Sequence, residues 1–234
     1  VTQEGSGNYG TVSDSVALVV KKARLTVSVS DTIRLYGEEN PLFEIRYEGF
    51  VRDDNATVLD ELPQVRTSAT VESDPGKYPV VLSGGSAANY ELVYVEGAKL
   101  VVDKLSALIE TDSIQVVYGS EPVALVSNNP DGRIHGVAAD TAVAGVSDGL
   151  VVIRNAGKTR LSVYQDESAY YHASDTFVVE LQVDKAMLTV SVSDTSRCYR
   201  EDNPVFTFTY SGFVNGDDTT AVNVEPVAAT EAGI

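Results

Sequence analysis

Cysteine is nearly missing from this chain: Cys198 is the only one, so no intrachain disulfide can staple the fold. There are two histidines, His135 and His172, and with one thiol they cannot furnish a Cys/His zinc cluster. Structural zinc is not expected on that ground. Basic residues are also scarce, with 17 Lys and Arg against 34 Asp and Glu and a formal net charge of −17. A phosphate backbone or an anionic lipid surface is repelled by such a surface across a Debye length of about 8 Å. Nucleic acid is therefore excluded as a partner. No apolar run approaches the roughly 18 residues of a membrane span, so direct membrane insertion of this stretch is not expected. The chain has neither an initiating Met nor a basic region leading into an apolar one, and it reads as a piece of something longer. The shortage of Cys and Met suits an oxidising exterior.

What is present is a globular composition, 43% hydrophobic and 22% charged over 234 residues. That length admits one large β domain or two to three modules of about 80 to 100 residues. An internal repeat decides how to divide it. The stretch from Leu25, LTVSVSDTIRLYGEENPLFEIRYEGFV, recurs from Leu188 as LTVSVSDTSRCYREDNPVFTFTYSGFV, without a gap and with about two-thirds of positions identical. A weaker repeat links VTQEGSGNYGTVSDSVALVVKKA at the amino terminus to VYQDESAYYHASDTFVVELQVDKA before the second copy. The period is therefore composite, one module ending in V-x-K-A and a different one opening on L-T-V. Residues 1–22 read as the closing strands of a truncated module and 23–103 as a complete one. Residues 104–185 read as a complete module of the other kind, and 186–234 as the first half of a second copy of 23–103.

Apolar and polar side chains alternate over short runs, the signature of half-buried strands. Leu25, Val27 and Val29 oppose Thr26, Ser28 and Ser30, and Phe43, Ile45 and Tyr47 oppose Glu44, Arg46 and Glu48. Turn residues separate the runs at Tyr36-Gly37, Asn40-Pro41, Glu48-Gly49, Asp74-Pro75-Gly76 and Ser83-Gly84-Gly85. Only Ala56 to Leu62, after the cap-like Asp53-Asp54-Asn55, predicts a short helix. Residues 104–185 predict strands throughout (LIETDSIQVVYG, EPVALVS, TAVAGVS, GLVVIRN, TRLSVYQ, FVVELQV) at the spacing of a β-sandwich. The expected fold class is mainly β.

The motifs LTVSVSDTIRLYGEENP, YEGFVRDDNATVL and DPGKYPVVLSGGSAANYELVYVEGAKLVV resemble, in that order, the MBG family of bacterial surface repeats of the YG type. The resemblance covers essentially all of 23–103 and implies a β-grasp-like or sandwich module. The second copy departs from it at Cys198 and Arg200, where the first has Leu35 and Gly37. VAGVSDGLVVIRNAGKTRLSVYQDESAYYHAS resembles a bacterial immunoglobulin-like domain, implying a β-sandwich. Together the resemblances imply a secreted or surface-attached bacterial protein, adhesins included.

Candidate chemistry is thin. Asp53, Asp54 and Asn55, with Asp217 and Asp218 in the second copy, put hard oxygen ligands in a turn that can serve calcium, although solubility and helix capping explain them equally well and no EF-hand spacing is present. Tyr170, Tyr171 and His172 form an aromatic patch suited to a glycan or protein partner. Tyr171 aligns with Tyr9 and reads as a packing residue, which leaves Tyr170 and His172 as the surface pair. Cys198, aligned with Leu35, reads as a small hydrophobe at a core edge. His135, in GRIHG, lacks a nucleophile elbow, and no recurring carboxylate pair demands acid–base work. Lys22 and Lys185 recur at module junctions, where a solvated linker residue explains them better than an isopeptide crosslink. The expected function is non-enzymatic: stiff spacer modules joined by short V-x-K-A-x-L-T-V junctions in an extended rod, contacting neighbouring modules of the same chain and presenting a distal domain. The alternative is an adhesin module that grips a host glycan, mucin or matrix protein.

Overall fold

A computed structural model describes residues 1–231. Contacts divide the chain into two compact units, residues 1–103 and a second from Lys104 onward.

The first unit begins with a small hairpin, β1 (Thr2–Gln3) and β2 (Val12–Ser13), in a segment whose side chains are all exposed through Lys22. Seven strands follow: β3 (Ala23–Val29), β4 (Thr32–Leu35), β5 (Ile45–Glu48), β6 (Glu61–Thr67), β7 (Gly76–Ser86), β8 (Tyr90–Tyr94) and β9 (Lys99–Asp103). They form two sheets, ordered β5-β3-β8 and β4-β9-β7-β6. The alternation in β3 works as read, with Leu25 and Val27 fully buried and Thr26 and Ser28 less so. β3 is the central strand of its sheet, antiparallel to β5 and parallel to β8, with Leu25 opposite Leu92. Val29 and Phe43 pack with Val65, Val80 and Leu100 of the other sheet, so the two sheets share a core. With no helix laid across either sheet, the module is a sandwich and not a β-grasp.

One local expectation for this region is corrected. The helix expected over Ala56 to Leu62 is a single 3-10 turn, Ala56–Val58. Leu59 is already extended and the Asp60 N–H donates to the Ser86 carbonyl at 2.9 Å, so pairing with β7 claims the chain before a second turn can wind. In β4 the charged residue is the one that faces inward. Ile33 and Leu35 lie 63% and 40% exposed while Arg34 is only 5% exposed. The Arg34 guanidinium donates to Asn40 Oδ1 (2.8 Å) and the Leu35 carbonyl (2.9 Å), and also to the Thr70 carbonyl, so each of its three nitrogens keeps a partner on burial. Arg197 and Asn203 repeat the pairing at 2.6 Å. Cys198, at the position of Leu35, is accordingly exposed and not a core-edge hydrophobe.

The second unit holds β10 (Leu105–Ser106), β11 (Ser113–Val117), β12 (Val123–Ala124), β13 (Ile134–Ala138), β14 (Ala144–Ser147), β15 (Leu150–Ile153), β16 (Gly157–Gln165), β17 (Tyr171–His172) and β18 (Phe177–Asp184). Sheets ordered β11-β18-β16-β13 and β12-β15-β14 close over a core of Ile114, Leu125, Val151, Leu161, Val163, Val179 and Leu181. That is an immunoglobulin-like sandwich, with the first strand running parallel to the last. Asp148-Gly149 makes the two-residue turn that pairs β14 with β15. The second copy of the repeat supplies β19 (Thr189–Val192) and β20 (Phe208–Ser211), paired only with each other among the described residues, and a 3-10 turn, Thr219–Ala221.

Candidate functional site

The aspartate turns follow β5 and β20, and their local geometry repeats. Gly49 (φ +114°) and Gly212 (φ +103°) turn the chain so tightly that a Cβ there would stand 2.6 Å from the Arg24 carbonyl oxygen and 2.5 Å from that of Met187. Each glycine aims the next aromatic back at the hairpin: Phe50 lies 5.7 Å from Tyr47, and Phe213 lies 6.0 Å from Tyr210. The turn ends at a cap. Asn55 Oδ1 accepts from the Thr57 N–H (3.0 Å) and hydroxyl (2.8 Å), and Asp218 Oδ1 does the same for Thr220 (2.9 and 2.6 Å). The hydroxyl and amide of Thr220 hold the Asp218 carboxyl below the usual carboxylate range.

The residue before the cap is the one that differs in partner. Tyr90 of β8 donates its hydroxyl to Asp54 Oδ2 at 2.5 Å and accepts the Val51 N–H at 3.0 Å. The bond to the carboxylate pushes the Tyr90 phenol above its ordinary range. In the second copy Asp217 Oδ2 accepts instead from Tyr118, just past the end of β11 in the immunoglobulin-like sandwich, at 3.1 Å. Asp53 is exposed, and its position in the second copy is Gly216, so the acidic pairs match only at Asp54 with Asp217 and at Asn55 with Asp218. Among the described residues no group of three or more His, Cys, Asp or Glu side chains is arranged to hold a metal ion.

Tyr170 and His172 flank Tyr171 at β17, which pairs in parallel with β10, and the Tyr170 carbonyl accepts the Leu105 N–H at 2.8 Å. His172 is exposed and Tyr170 partly so. His135 lies on β13 with Nε2 2.7 Å from Asp166 Oδ2 and its ring stacked 5.0 Å from Tyr164. With side chains 35% and 51% exposed, this is a surface pair of small energetic weight. In the first unit a groove of about 460 Å³ runs beside β7, lined by Val81, Leu82, Tyr94 and Val95 and flanked by Lys77 and Lys99.

Several polar contacts had no sequence signal. Gln165, 1% exposed, donates to the carbonyls of Asn129 and Gly132 at 2.6 Å each, and Asn129 Oδ1 accepts from Gly132 N–H and the Ser168 hydroxyl. These bonds lock the 129–132 loop onto β16. The Arg34–Asn40 and Arg197–Asn203 pairs were legible only as residues identical in the two copies.

The fold and these turns define a tandem, all-β repeat protein in which an immunoglobulin-like sandwich alternates with a second kind of sandwich. The sequence profile of the MBG domain, YGX type, matches residues 25–100 and 188–234, and the chain belongs to that family. No curated protein matches the chain in sequence. Among solved structures, S-layer protein SbsC domains 4 and 5 are similar at 13% identity, over 58% of this chain and 82% of that one, with a TM-score of 0.26. Drosophila N-cadherin EC1-4 gives 9% identity over 78% of this chain, which spans 56% of that structure, with a TM-score of 0.29. The tandem Ig repeats of Dlar give 13% identity over 71% and 96% of the two chains, with a TM-score of 0.25. Likeness at this level carries no functional weight.

Proposed function

We propose that these modules are non-enzymatic spacer repeats of a bacterial surface protein, which hold a distal functional domain away from the cell. Residues 1–22, 23–103, 104–185 and 186–234 are, in this reading, successive pieces of one alternating array. The observation that supports it most directly is the brevity of the joins. One residue, Lys104, separates β9 from β10, and only Lys185 to Leu188 separate β18 from β19. So short a connection has little conformational freedom to spend on a flexible tether. The acidic surface, with its net charge of −17, keeps neighbouring arrays apart.

The test is to display the chain on a bacterial surface beneath an epitope tag, with one or two copies of residues 1–234, and to measure tag height and antibody access. Height rises with each added copy if the modules are spacers. The parallel experiment is binding to mucin, matrix proteins and a glycan panel. Saturable binding abolished by Tyr170→Ala with His172→Ala, or by Tyr94→Ala in the groove flanked by Lys77 and Lys99, would replace the spacer reading with an adhesin module. Calcium at Asp53, Asp54, Asp217 and Asp218 is tested in the same assays by adding and chelating the ion.

A further inference from the structure

The Tyr118-Gly119 turn follows β11, and the Tyr118 N–H donates to the carbonyl of Asp184, the last residue of β18, at 2.8 Å. The turn is thereby pinned at the end of the sandwich from which the chain leaves. Two contacts then tie it to the second copy of the repeat. The Tyr118 hydroxyl reaches Asp217 Oδ2 at 3.1 Å. Gly119, at φ +93°, lies so close to Val214 that a Cβ on it would stand 2.6 Å from that side chain. Beside them an open cleft of about 240 Å³ is lined by Tyr118, Ala156, Ala186, Leu188, Phe213 and Val222. We infer that the Tyr118-Gly119 turn is a key and the Gly212-to-Asp217 segment its socket, a specific joint that fixes an MBG module against the immunoglobulin-like module before it.

The chemistry is matched on both sides. A residue without a side chain admits the Val214 methyls to its backbone, which no other amino acid does at that φ. A phenol finds a carboxylate oxygen, at 3.1 Å a longer bond than the 2.5 Å one that Tyr90 makes to Asp54 in the first copy. The first copy keeps Gly49, Phe50, Val51 and Asp54 of this segment, with Arg52 and Asp53 where the second has Asn215 and Gly216; its Asp54 accepts from Tyr90 of β8, while Val51 is 49% exposed. The ligand class for such a socket is the Tyr-Gly turn of an immunoglobulin-like module. This inference deepens the spacer reading and rests on it, since a fixed joint transmits length where a loose one does not.

The test uses the full chain with Cys198→Ser and spin labels at Ser162→Cys on β16 and Thr209→Cys on β20, both exposed positions. Pulsed electron paramagnetic resonance reads the distance distribution. The joint requires one narrow distribution that widens about two-fold in Val214→Glu, as the default freedom between modules returns. Tyr118→Phe widens it less. Val51→Glu, the same change in the first copy, leaves it as it was. A second label pair, Ser191→Cys with Thr209→Cys, sits across the β19–β20 hairpin and reports whether that hairpin survives each substitution. If Val214→Glu loses that coupling, the comparison passes to Tyr118→Phe, which removes one oxygen atom. A broad distribution in the unsubstituted joint overturns the inference, and so does a narrow one unmoved by these variants. Either result leaves the display and binding assays standing, so loss of the joint and loss of the spacer reading are told apart.

Discussion

The two copies of the repeat open on the same eight residues, LTVSVSDT, and meet opposite fates. Leu25 and Val27 are fully buried, whereas Leu188 and Val190 are 36% and 43% exposed. β3 has β5 on one side, β8 on the other and a second sheet across the core, while β19 has only β20 among the described residues. The amino-terminal segment shows the same thing against β18. Val16, Leu18 and Val20 are 89%, 86% and 86% exposed, and their counterparts Val179, Leu181 and Val183 are at most 3% exposed. Alternation specifies which side chains share a face, and burial of that face depends on partners far along the chain.

Core truncation sharpens this contrast most. Leu25→Ala should cost about 2–5 kcal/mol of the first unit's stability, whereas Leu188→Ala stays within about 1 kcal/mol. Denaturant titration read from methyl resonances of each unit separates the two. Equal costs would mean that β19 is as well packed in solution as β3.

The glycine turns come next. Gly49→Ala and Gly212→Ala each force a Cβ onto a carbonyl oxygen at positive φ, at a cost of about 1–3 kcal/mol. Their consequences differ, because Gly49→Ala strains a turn joined to a seven-strand sandwich and lowers its melting temperature, while Gly212→Ala releases β20 from β19 and loosens the socket that begins at this glycine. Hydrogen exchange of the strand amides distinguishes a lowered global stability from a local release.

A smaller effect tests the tyrosines. Tyr90→Phe removes the donor to Asp54 and should lower the melting temperature of the first unit, with little change in the second. Tyr118→Phe should leave the melting temperatures of the first unit and of the immunoglobulin-like core, which does not use that hydroxyl, where they are, and loosen only the second copy. Calorimetry of both variants reads the two transitions.

The smallest is a difference in acid. Asp218 caps its 3-10 turn with a carboxyl that the Thr220 hydroxyl and amide hold below the ordinary aspartate range, so the folded state prefers the ionised form. Its contribution is complete above the ordinary aspartate range and fades as the pH falls through the lowered folded value. Asn55, in the same place in the first copy, does not titrate there. Acid should fray Thr219–Ala221 before Ala56–Val58, as amide shifts of Thr220 and Thr57 would report, and Asp218→Asn should remove the difference.

Much of this protein was legible in its residues. The gapless repeat announced two module types, and period-two alternation with Gly, Asn and Asp breaks located most strands, because side-chain direction and turn dihedrals are local properties. The recurrence of Asn55 and Asp218 before Thr marked two caps for the same reason. Nothing in the sequence marked the inward face of β4, where Arg34 is buried because Asn40 and the Leu35 and Thr70 carbonyls each meet one nitrogen of its guanidinium, leaving Ile33 and Leu35 outside. Cys198, read by alignment with Leu35 as a core-edge hydrophobe, inherits the outward position that Leu35 takes. Which strands bury which faces, which tyrosine reaches which aspartate, and whether Ala56 to Leu62 winds or extends were decided only by the tertiary structure. Each depends on groups tens of residues apart, and a local pattern carries no record of the partner that will arrive.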